Sequence, residues 1–328
     1  MTFKEFCNEV KDSVLEYMPS EYAEADVEIR EVVKNGGTLT GLSIRRSSDK
    51  GAVPTLYLDD YYAAYEKDGM ALSEVIDMLA DIYEKADNDK SEVLGNNAQD
   101  VVNNLTDYNA VKDLIIPRVV ADEGNEEYLN TYPHSKHGDL TTTYRIVLTA
   151  EASIPIPNEL LERWGISLEE LDKKAMENFK ENPKTKVTSM LEILAASGIP
   201  EELLEDMRDT DADQIIVTNE SKTLGATNLL DTDTLDAIEA TKGKFFILPS
   251  SIHECIIMPK SFGANVAELE DMVREVNRTQ VAPNERLSDN VFEYDSLTKQ
   301  VIKAVDEEMK TLEMPKSESR KEKGEVKG

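Results

Sequence analysis

The stretch GKFFILPSSIHECIIMPKS, residues Gly243–Ser261, decides how the chain is to be read. It sets one of three histidines, an acid and one of two cysteines between two apolar runs, so it is either a reactive centre or the tip of a β-hairpin. The residue pattern favours the hairpin. Phe245–Leu248 and Ile256–Met258 read as paired strands, and Pro249-Ser250-Ser251 supplies the turn between them. The zincin spacing fails, because the fourth residue after His253 is Ile257. A Cys–His nucleophile pair fails as well: residues two apart in a strand share a face but point in parallel, so His253 is not aimed at the Cys255 thiol. His134 and His137 could complete a tetrahedral zinc set with His253 and Cys255, yet no CxxC occurs and the two halves lie far apart in sequence. No metal and no cofactor is expected.

Outward from this hairpin, DQIIVTN (213–219) reads as a strand, and helices follow around Thr234–Thr241 and in NVAELEDMVREVN (265–277). Upstream, VKDLIIPRVV (111–120) and DLTTTYRIVL (139–148) read as strands flanking a loop at 125–138, with Pro117 placing the first at an edge or bulge. PNELLERWG ends a helix at Gly165, and Ser167 with Glu170 caps the next. TSMLEILAAS and PEELLEDM continue as short helices. At the start, Thr2 and Glu5 form a capping box for an amphipathic helix that buries Cys7. DVEIREVV and LTGLSIRR form a hairpin through Asn35-Gly36-Gly37, a third short strand lies in PTLYLDD, and a helix over 61–86 puts Leu72, Val75, Ile76, Leu79, Ile82 and Tyr83 on one face. The polar run 87–100 reads as a loop or linker.

These elements predict an α+β fold, with antiparallel sheets and packed helices arranged in two α+β units. Residues 1–90 form an N-terminal α-β-β-β-α unit, 91–296 a second α+β unit, and 297–328 a C-terminal helix with a disordered tail.

At 328 residues the chain can bury a sizeable core, and 40% hydrophobic with 31% charged residues describes an ordinary soluble protein. The 66 acids against 36 bases give a formal charge of −30. That charge repels nucleic acid and anionic membrane surfaces alike, and no apolar run reaches the roughly 20 residues that cross a bilayer. The start lacks a secretory pattern, so a cytoplasmic protein with free thiols is expected. Adjacent carboxylates such as Asp59-Asp60 and Glu169-Glu170 sit mostly at helix starts, where the macrodipole favours them. No GxGxxG or GxxxxGK pattern is available to cradle a phosphate.

Several segments together carry a resemblance: PRVV with Asn125, YPHSKHGDL, ERWGISLEEL, VTNESKTLGATNLL, ILPSSIHECIIMP and VREVNRTQVAPNERLSDNVFEYD. The chain resembles the bacterial family known as domain of unknown function 5688, from about Thr2 to Tyr294. Ile215-Ile216 stand where that family favours Met-Tyr, which is a packing change. The resemblance implies a soluble intracellular bacterial protein and carries no catalytic residue over. It gives Ser250, Ser251, His253 and Glu254 a second reading as the lining of a shared groove, with Asn219 alongside.

The function expected from these patterns is a non-catalytic binding or interaction protein whose acidity steers it toward a basic protein or peptide. The alternative is a hydrolase or transferase whose site gathers His253, Glu254 and Asn219 between the two units. A DNA mimic would need its acids on one face, whereas here they are spread along every helix.

Overall fold

Thr2 opens the first helix, α1 (Phe3–Ser13), with both arms of a capping box: its hydroxyl accepts from the Glu5 N–H, and the Glu5 carboxylate accepts from the Thr2 N–H. In the computed structural model the described residues are 1–49, 53–149, 152–181, 184–200, 204–205, 214–249 and 251–306, with side chains omitted at 89–97 and 99. Helix α1 buries Phe6, Cys7 and Val10 in a core shared with the hairpin β1 (Asp26–Lys34) and β2 (Gly37–Arg45). The strands pair without offset from Asp26↔Arg45 to Lys34↔Gly37, leaving Asn35-Gly36 as a two-residue turn. β3 (Leu56–Tyr57) adds a third strand, and α2 (Leu58–Asp68) and α3 (Leu72–Asn103) close the core with Leu58, Val75, Leu79 and Tyr83.

Two expectations for this region are corrected. The helix over 61–86 is broken at Gly69, whose φ of 66° ends α2, and Ile82 lies 38% exposed rather than on the buried face. The run 87–100 is not a linker: α3 continues through it to Asn103, so a boundary at residue 90 falls inside one helix. A single glycine, Gly95, costs about 1 kcal/mol relative to alanine in a helix interior. That is too little to stop a helix already nucleated and anchored beyond it by Ala98, which is 2% exposed.

After α4 (Tyr108–Val111), the strands β4 (Ile115–Val120), β5 (Ser135–His137), β6 (Leu140–Val147) and β7 (Ser153–Pro155) form a four-stranded antiparallel sheet. β4 pairs with β6 alone, so its Pro117 sits on an edge where a missing N–H is tolerated. The expected loop at 125–138 is instead helix α5 (Glu126–Thr131) followed by β5, because β6 offers β5 an open side to pair with. One face of the sheet, through Ile115, Tyr144 and Ile146, packs on Leu171 and Ala175 of α7 (Leu168–Glu181), which follows α6 (Asn158–Trp164).

The remaining strands are β8 (Thr185–Ser189), β9 (Ile215–Asn219), β10 (Phe245–Leu248), β11 (Cys255–Pro259), β12 (Phe292–Asp295) and β13 (Gln300–Lys303). They form one antiparallel sheet in the order β13-β12-β10-β11-β9-β8, with the β10–β11 hairpin at its centre. Helix α8 (Met190–Ala196) follows β8, and the segment PEELLEDM lies largely outside the described residues. Phe245, Ile247, Cys255 and Ile257 share a core with α9 (Thr232–Lys242), while Phe246, Leu248 and Met258 share another with α10 (Val266–Thr279). Burial on both faces explains why β10 is apolar at every position rather than alternating.

Of the C-terminal helix expected within 297–328, only 297–306 are described, and that part is not helical. β13 occupies 300–303, since β-branched Val301 and Ile302 pair with Tyr294 and Glu293 across a tight turn. The expected tail after 306 lies outside the described residues. The fold is α+β with antiparallel sheets, and among the described residues no helix is long and apolar enough to cross a membrane.

The β1–β2 tip is buried against the segment 283–286 and against Ala121 and Asn125. Asn35, 2% exposed, donates to the carbonyls of Asn284 (3.2 Å) and Arg286 (2.9 Å) and accepts from the N–H of Ala121 (2.8 Å) and the amide of Asn125 (3.3 Å). Gly36 has φ 74°, and a Cβ there would lie 2.3 Å from the Pro283 carbonyl oxygen, so the position admits only glycine.

Candidate functional site

The structure brings together three of the segments singled out in the sequence: Thr218-Asn219 at the end of β9, Leu224–Ala226, and Ser251–Glu254 before β11. The bonds joining them are internal. The Thr218 hydroxyl donates to the His253 carbonyl (2.8 Å), the Ala226 N–H to the Ile252 carbonyl (3.2 Å), and the His253 N–H to the Ser251 hydroxyl (3.0 Å). The Leu224 N–H donates to Nδ1 of His253 (3.2 Å), which places the ring proton on Nε2, facing Glu285 Oε1 at 3.4 Å. Gly225 fits because it has no side chain: a Cβ would stand 2.3 Å from Thr218 Oγ1 and 2.5 Å from the His253 carbonyl oxygen.

Asn219 closes its own turn, accepting from the Thr223 N–H (3.2 Å) and Ser221 hydroxyl (3.0 Å) and donating to the Thr223 carbonyl (2.8 Å). Glu254 is exposed, and Ser250 lies outside the described residues. Cys255 is fully buried, and burial with the nearby Glu254 charge pushes its thiol far above the usual range, away from the reactive thiolate. The segment Gly243–Ser261 is therefore the hairpin, with Ser251 bonded to its own backbone and His253 to the Leu224 N–H and Glu285.

The other two histidines take separate partners. His134 Nδ1 lies 3.1 Å from the Tyr132 carbonyl, while His137 Nε2 bonds Asp172 at 2.9 Å, with the Tyr144 hydroxyl on the same carboxylate oxygen at 2.8 Å. Among the described residues no three metal-ligating side chains gather.

One cluster was passed over in the sequence. Arg118 on β4 and Arg145 on β6 share a face of the four-stranded sheet, reached by Tyr128 of α5 and by Tyr132 just beyond it. The signal was present as two arginines at alternate positions in IIPRVV and TTTYRIV, but the alternation shows only which face they take. No curated protein and no solved structure matches the chain. The match found covers residues 3–296 and thereby nearly all the elements above, so the chain belongs to the Family of unknown function (DUF5688).

Proposed function

We propose that the protein is a non-catalytic binding protein whose partner is a basic protein or peptide. The observation that carries the reading is the occupancy of His253: one ring nitrogen accepts a backbone N–H and the other faces Glu285, so the signature segment offers no free base to a substrate. Cys255 is sealed in the core, out of reach of a substrate. What the molecule presents outward is charge. The excess of 66 acids over 36 bases attracts cationic partners and speeds their encounter. A reducing cytoplasmic setting fits two free thiols, Cys7 and Cys255, held in separate cores.

The test is a fluorescence-anisotropy titration with a lysine-rich peptide and an acidic control of equal length. Binding of the basic peptide is expected to weaken by about tenfold or more between low and high salt, as screening shortens the reach of surface charge. No binding of the basic peptide at low ionic strength would remove the proposal. So would turnover of a substrate abolished by His253→Gln.

A further inference from the structure

Arg118 and Thr143 are direct partners in the β4–β6 register, and Ile116 and Arg145 are partners two positions along, so both guanidinium groups and the Thr143 hydroxyl project from one face. Tyr128 and Tyr132, with ring centroids 4.5 Å apart, are neighbours of both arginines. Arg145 is fixed in place: Nε–H donates to the Ser153 hydroxyl (2.7 Å) and Nη2–H to the Ser153 carbonyl (2.7 Å), leaving its other amino group free of these bonds. Three polar atoms here are buried, namely Arg118 Nε, the Tyr128 hydroxyl and Thr143 Oγ1; none makes a hydrogen bond of good geometry within the protein, although the Tyr128 hydroxyl stands close enough to Arg145 to interact with its guanidinium. Tyr128 is 3% exposed and Thr143 1%. All three atoms can donate.

Among the described residues no carboxylate bonds Arg118 or Arg145, although acids outnumber bases 66 to 36 in the chain. An uncompensated buried charge is among the most costly features a fold can keep, and buried donors without acceptors are rare enough to need a reason. Burial, then repulsion from Arg118, pushes Arg145 down to about 10, and burial lowers Arg118 as well. A negative charge between them would reverse both effects. Both arginines retain partial solvent access, so the face can be reached.

We propose that this face is a receptor for the oxyanion group of a small ligand, a carboxylate or a phosphate, bound by the free fork of Arg118, the remaining amino group of Arg145 and the hydroxyls of Tyr128 and Thr143. The planar guanidinium of Arg118 matches two oxygens of either group, and the hydroxyls complete a ring of donors. The site is independent of the acidic outer surface and of the basic partner assigned to it.

Thermal melts of the full chain in inorganic phosphate and, separately, in acetate test the assignment, with potassium chloride at matched ionic strength as the control. One or both probes should give the wild type a saturable rise of about 3 °C over the control. A response to phosphate alone identifies a phosphoryl ligand, and one to acetate alone a carboxylate. Arg118→Met should lose the response, while its ligand-free melting temperature stays level or rises, because a buried unpaired charge has been removed. The assignment is overturned if neither probe raises the wild-type melting temperature beyond the control, or if Arg118→Met responds as the wild type does. Should Arg118→Met fail to fold, Tyr128→Phe and Thr143→Val replace it, since each removes one hydroxyl and keeps the shape; an undiminished response in both overturns the receptor.

Discussion

Gly225 shows how a position in the family signature can be structural. Its missing side chain lets the Thr218 hydroxyl reach the His253 carbonyl, and the backbone atoms that an added Cβ would meet cannot swing aside as a flexible side chain would. Gly225→Ala should therefore cost about 2–4 kcal/mol, whereas His253→Ala, which removes the acceptor for one N–H, should cost about 1 kcal/mol. Denaturant melts of the two variants rank them, and a larger loss for His253→Ala would show that the ring does more than accept the Leu224 N–H. Asp172 carries a pH dependence. Burial alone would raise its carboxyl, but bonds from His137 and Tyr144 outweigh burial and hold it below the ordinary 3.8. A depressed carboxylate stabilises the fold above the unfolded value, and that contribution disappears as the pH falls through the lower folded value. Asp172→Asn should be less stable than the wild type at neutral pH by about 1 kcal/mol, discounted for partial exposure. The gap should close in melts below about pH 3.8, and a constant gap across that range would count against the network.

At the scale of elements, the β1–β2 hairpin is both the most legible feature of the sequence and the one whose use was hidden. Asn35-Gly36 announces a turn by local chemistry, since the residues that need a positive φ are written beside it. Nothing nearby says that the turn is buried against 283–286 and Ala121. The central hairpin β10–β11 and the helices α1, α7 and α10 were legible for the same local reason, through caps and periodic apolar faces. β8, β12 and β13 were not, because polar residues interrupt the apolar run in TKVTS, FEYD and QVIK, so that the partner each meets decides the strand. Arg118 and Arg145 went unnoticed because alternation fixes a face and not what faces it. Asn35→Ala removes two donated and two accepted bonds and leaves the buried Ala121 N–H without its acceptor, at an expected cost of about 2–4 kcal/mol. Trp164, the sole tryptophan, lies at the end of α6, far in sequence from the hairpin tip. Its fluorescence melt should separate from the circular-dichroism melt in Asn35→Ala if the hairpin tip couples the elements it touches, and coincident, unshifted transitions would deny it that role.

Across the whole molecule, the four- and six-stranded sheets share one core, in which Val119 and Leu140 join Val217, Ile247 and Val301, and a hairpin tip adds polar contacts to it. The β5–β6 turn docks on β13: the Asp139 N–H donates to the Val301 carbonyl (2.9 Å), the Lys303 N–H donates to the Asp139 carboxylate (2.7 Å), and Lys303 Nζ pairs with Glu123 at 2.9 Å. β13 is thus at once the edge of the six-stranded sheet and part of the seam to the four-stranded one. It also buries Val301 (3% exposed), and Ala304 just after it is 7% exposed. A chain ended at Ser296 loses all of this and bares the β12 edge, an open template for pairing with other chains. A chain ended at Asp306 keeps it. Two buried apolar side chains and the three polar contacts to Asp139 and Glu123 predict that the shorter chain is less stable than the longer by about 3–5 kcal/mol, with a greater tendency to self-associate. Melting temperature and light scattering of the two truncated chains, each beside the full chain, decide the matter. If the chain ended at Ser296 melted with the one ended at Asp306 and stayed monodisperse, β13 would be an ornament on the sheet, and the seam between the two sheets would have to lie elsewhere.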